Sequence, residues 1–66
     1  MTVKVFSKTK DSVHLWNYLS FKEHHNAKPK LHSSNGNVIN YRIYEVDCPI
    51  DEEYTNSLGL EYEVLR

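Results

Sequence analysis

The chain has 66 residues with 39% apolar and 26% charged side chains, a net charge of −1 and a single cysteine, Cys48. This length suits one domain, residues 1–66, with a small core; one cysteine excludes an internal disulfide framework and favours a reducing, cytoplasmic setting. MTVKVFSKTK lacks the apolar run of a signal peptide, and no stretch reaches the roughly 20 apolar residues that cross a bilayer, so a soluble chain with no membrane partner is expected.

Charge is balanced overall but uneven along the chain. Residues 1–32 carry six lysines against Asp11 and Glu23, a balance of +4, and residues 33–66 carry Arg42 and Arg66 against seven acids, a balance of −5. Such a polarised chain suits pairing of its halves, within one fold or with a second copy.

TVKVFSKT alternates, with Val3 and Val5 on one face and Lys4, Phe6 and Lys8 on the other, and predicts a first strand. Asp11 or Ser12 then serves as N-cap for a helix running from Ser12 to about His25. Its apolar stripe is Leu15, Trp16, Tyr18 and Leu19, with Val13 and Phe21 off the stripe. Asn26 suits the C-terminal cap, and Pro29 closes the segment.

KLHSSNGNVINYRIYEV predicts a hairpin around Asn35-Gly36. A three-residue loop, Ser34-Asn35-Gly36, pairs Leu31 with Ile39 and avoids setting apolar beside polar residues. In that register Ile39, Tyr41 and Ile43 face the core, while Val38, Arg42, Tyr44 and Val46 face away. CPIDEEYTNSLG predicts a short second helix with Pro49 in its first turn, Asp51, Glu52 and Glu53 at the positive pole, and Gly59 as its stop. Ile50, Tyr54 and Leu58 form its stripe. LEYEVL predicts a last strand with Leu60, Tyr62 and Val64 inward.

The order β-α-β-β-α-β resembles the ferredoxin-like arrangement, an α+β fold in which two helices cover one face of a four-stranded antiparallel sheet. The resemblance is one of element order alone. Small metal-binding domains of that fold carry Cys-x-x-Cys after the first strand, where this chain reads SKTKDS. If residues 49–58 form a loop, the fallback is a β-α-β-β core with a C-terminal strand.

Spacing argues against chemistry. His14, His24, His25, His32 and Cys48 contain no Cys-x-x-Cys or His-x-x-x-His pair, and adjacent His24 and His25 point about 100° apart on a helix. Cys48, read as a half-buried thiol, has Asp47 and three further acids nearby that disfavour a thiolate. Two glycines leave no phosphate loop. No enzyme activity, metal or cofactor is expected.

The remaining feature is the second face of the sheet. Phe6, Val38, Arg42, Tyr44 and Val46 are the candidate partner-binding residues, in a non-enzymatic, protein-binding homodimer that acts as an inhibitor or accessory factor of a larger protein. The alternative is a module for RNA or single-stranded DNA, stacking bases on Phe6 and Tyr44 with Lys4, Lys8 and Arg42 near the phosphates. Glu61 and Glu63 on the same face and a pI of about 6.4 weigh against it.

Overall fold

In the computed structural model, residues 1–8, 15–35 and 38–65 are described. The elements are β1 (Thr2–Ser7), α1 (Leu15–His24), β2 (Lys28–Asn35), β3 (Val38–Glu45), α2 (Glu52–Ser57) and β4 (Leu60–Leu65). They form a small α+β domain with one open four-stranded sheet in the order β2-β3-β1-β4 and every neighbouring pair antiparallel. β3 thus lies between β1 and β2, and β1 between β3 and β4.

Cross-strand register fixes the faces. Val3 lies opposite Tyr44 and Val64, and Val5 opposite Arg42 and Tyr62, so these side chains share one face. Both helices pack there: the Phe21 ring of α1 lies 5.6 Å from that of Tyr44, and Tyr62 donates a 2.8 Å hydrogen bond to Glu52 of α2. The core is Val3, Val5, Tyr18, Phe21, Ala27, Tyr44, Val46 and Leu60, with Ile39, Ile50, Leu58 and Tyr62 packed against it.

Each helix departs from its predicted stripe. α1 buries Tyr18 and Phe21, while Leu15 is 43% and Trp16 68% exposed. The buried line continues to His25, so the spacing is i, i+3, i+7, and it turns the presumed stripe partly to the surface. The expected caps Asp11 and Ser12 lie outside the described residues. At the other end Asn26 adopts φ +49°, the left-handed conformation expected of a helix stop.

Pro49 precedes α2 and does not lie inside it. Asp51 is the cap, and its side chain accepts from the Tyr54 N–H at 3.0 Å. The buried residue of α2 is Thr55, and Ile50, Tyr54 and Leu58 are half-buried. Gly59 ends the segment at φ +74°, with open space where a Cβ would stand. Gly59→Ala is therefore expected to cost about 1 kcal/mol, all of it from backbone strain, as read by urea denaturation.

The helices are joined at one buried side chain. His25 is 3% exposed; its Nδ1 lies 2.9 Å from the Phe21 carbonyl, and its Nε2 accepts from the Asp51 N–H at 2.9 Å. A carbonyl on one side and an N–H on the other fix the tautomer with the proton on Nδ1. Beside it, His24 stacks on Tyr54 at 3.9 Å and reaches Asp51 at 3.1 Å.

The hairpin corrects the predicted register. Leu31 lies opposite Ile43, not Ile39, and the strands stay paired to Asn35–Val38, with Gly36 and Asn37 between them outside the described residues. The ladder shifts at two places, between Pro29 and Leu31 and between Ser33 and Ser34. The second shift passes over Asn40, so Ile39 returns to the core side while Tyr41 and Ile43 stay on the other.

Candidate interaction face

Three rows of side chains cross the face that no described helix covers. Lys28, Glu45, Thr2 and Leu65 form the first; Leu31, Ile43, Lys4 and Glu63 the second; Ser33, Tyr41, Phe6 and Glu61 the third. Phe6, Tyr41, Ile43 and Leu65 are half-buried, and Leu31 is 56% exposed. The Lys4 ammonium sits 4.8 Å from the centre of the Tyr41 ring, a cation–π contact.

Of the four residues predicted for this face whose side chains are described, Phe6 alone lies on it. Tyr44 is fully buried and Val46 is 1% exposed, both beneath the helices, and Arg42 is half-buried on that same side. Val38 opens β3 opposite Asn35, and its side chain is outside the described residues. The error is one of parity: β3 is apolar on both sides, and a single step of register exchanges its faces. Tyr41 and Ile43 take the places given to Tyr44 and Val46. The signal was Val3, whose antiparallel partner must share its face.

The buried side has an electrostatic cost. Burial pushes the Tyr44 phenol above its usual range, against the pull of the nearby Arg42 guanidinium, and burial likewise raises Tyr18. Arg42 acts on the Tyr44 phenol as a charge and as a side-chain donor, in a contact that falls short of full hydrogen-bond geometry. Tyr18 Oη, Tyr44 Oη and Arg42 Nε are accordingly buried without hydrogen-bond partners.

Charge on the open face is segregated by strand. β2, one outer strand, carries Lys28 and Lys30, the latter reaching Glu45 at 3.7 Å across the first row. β4, the other outer strand, carries Glu61 and Glu63. Between them Glu45 accepts from the Thr2 hydroxyl at 2.6 Å and from the Met1 amine at 2.9 Å. The Thr2 bond first, then the amine, holds its carboxyl well below the usual range, at about 2.

Outside this face, an open groove of about 270 Å³ lies between α2 and β4, lined by Glu52, Thr55, Asn56, Leu60, Glu61 and Tyr62. Among the described residues no three of His, Cys, Asp and Glu converge on one point, and His14 lies outside them. Cys48, expected half-buried, is exposed, with its thiol 3.5 Å from the His25 carbonyl. Among the described residues no helix is long and apolar enough to cross a membrane. Comparison with protein-family models, curated proteins and solved structures finds no match to this chain.

Proposed function

We propose that this chain is a cytoplasmic, ferredoxin-like, non-enzymatic domain that binds protein through its open sheet face. The first occupant of that face is a second copy of the chain, and the pair serves as an inhibitor or accessory factor of a larger protein. The carrying observation is the apolar centre formed by Phe6, Tyr41, Ile43 and Leu31 with charges at both rims, the composition of an interface centre inside a polar rim. A small core adds reason for a second subunit, since domains of this size have few kcal/mol to spare.

Sedimentation at high micromolar concentration is expected to give a dimer for the native chain and a monomer for Phe6→Glu, with the far-ultraviolet spectrum unchanged. A native monomer, or a dimer indifferent to Phe6→Glu, overturns the reading. One observation favours a second reading: Phe6 and Tyr41 lie side by side on the two central strands, with the Lys4 ammonium beside the Tyr41 ring, a platform for bases and phosphates. It predicts salt-dependent binding of single-stranded oligonucleotides, lost on Phe6→Ala. Glu45, Glu61 and Glu63 on the same face oppose it, and a flat titration at low salt removes it.

A further inference from the structure

The segregation of charge between the outer strands selects how two copies meet. We infer that they stack sheet on sheet about a two-fold axis parallel to the strands, each β2 edge lying over the partner's β4 edge. This rests on the self-association proposed above and adds its geometry.

A face-to-face pair related by a two-fold has its axis in the plane between the sheets, along the strands or across them. An axis across the strands lays β2 over β2 and β4 over β4. The rows are then reversed, so Glu63 and Lys4 of the middle row face their own copies, and each rim meets an edge of its own sign. An axis along the strands reverses the order β2-β3-β1-β4 onto itself, lysine edge over glutamate edge, twice per dimer, with Lys28 one row along the strands from the partner's Glu63.

The same operation sets the middle of the face, where in the second row Ile43 comes over the partner's Lys4 and Leu31 over the partner's Glu63. The strand order is symmetric about the seam between β3 and β1, where the axis would run, so each row meets its own reverse. In the third row Tyr41 comes over the partner's Phe6, and Phe6 over the partner's Tyr41. In the first row Glu45, already saturated by Thr2, Met1 and Lys30, comes over the uncharged Thr2. Packed sheets cross at roughly 30°, and the long lysine chains absorb the offset this leaves at the rim.

A face contact is also what the size of the molecule calls for. A standard interface removes about 800 Å² from each partner, a substantial part of the 4615 Å² surface of this chain. Pairing through one strand edge covers too little, and it leaves Phe6, Tyr41 and Ile43 in water.

The test is charge reversal at one rim, then at both, with the dimer constant measured by sedimentation equilibrium at low salt. Lys28→Glu with Lys30→Glu is expected to weaken the dimer about tenfold or more, and so is Glu61→Lys with Glu63→Lys. The four changes together restore opposite charges across each rim and are expected to return the constant to within about threefold of native. The β4 pair of changes leaves the Lys30–Glu45 contact intact and so reads the rim even if the β2 changes loosen the fold. Double variants as tight as native, in a dimer still dissociated by Phe6→Glu, overturn the axis and leave the open-face dimer standing. A monomeric native chain removes both.

Discussion

Tyr44→Ala is expected to unfold most of this domain, and Tyr44→Phe to leave it intact or more stable. The Tyr44 ring is fully buried, packed 5.6 Å from Phe21 and opposite Val3. Emptying that volume costs about 3–5 kcal/mol, a sum comparable to the whole stability of a domain this small. The hydroxyl works the other way. Its oxygen is buried without a hydrogen-bond partner, so its removal relieves a desolvation cost on the order of 1 kcal/mol.

Tyr44→Glu is expected to destabilise the fold for a third reason, a carboxylate desolvated in the core with Arg42 as its nearby counter-charge. Urea denaturation of the three variants checks the series. A Tyr44→Ala chain that loses less than about 1 kcal/mol would mean that β3 turns its other face to the helices.

His25→Ala is expected to cost about 2–4 kcal/mol, and the loss should be felt in both helices at once. Among the described residues, the imidazole is a buried group that accepts from the backbone entering α2 while contacting the last turn of α1. Removing it leaves the Asp51 N–H without its acceptor and opens a cavity against Phe21, whose ring lies 4.3 Å away. Amide exchange should accelerate at the end of α1 and the start of α2 together. Acceleration confined to α1 would show that the junction is not shared.

The same junction responds to acid. The Tyr54 N–H, then His24, hold the Asp51 carboxyl below its usual range. A carboxylate whose pKa falls on folding contributes stability that is present above its unfolded range and lost as pH falls through the folded value. Glu45 follows the same sign between about 4.5 and about 2. Stability is therefore expected to decline below the ordinary carboxylate range, and Asp51→Asn to flatten part of that decline.

What the sequence discloses depends on how many ways each segment can be satisfied. β1 and β4 are apolar on one side and polar or charged on most of the other, and their faces follow from alternation alone. Gly59 and Asn26 are legible because few residues tolerate a positive φ. β3 offers an apolar set on each side, so its parity is decided by partners far away in sequence, Val3 and Val5. The two ladder shifts compound this, since one carries Ile39 across to the core while Tyr41 stays outside. The exposed Trp16 in α1 and the buried His25 just after it reverse the usual preferences of their residue types, and the hydrogen bonds to Phe21 and Asp51, with the packing on Phe21, account for the second.

β2 has a consequence of a different kind. Every described side chain along it except Ser33 is exposed, so it stands as a bare outer strand of the sort that recruits further strands and grows into filaments. Pro29 supplies no N–H for such an addition, the ladder shift at Lys30 breaks the repeat a newcomer would need to match, and the two lysines repel a second copy arriving edge to edge. Chains lacking these features, such as a Pro29→Val, Lys30→Val variant, should aggregate from the folded state while the native chain stays a discrete particle.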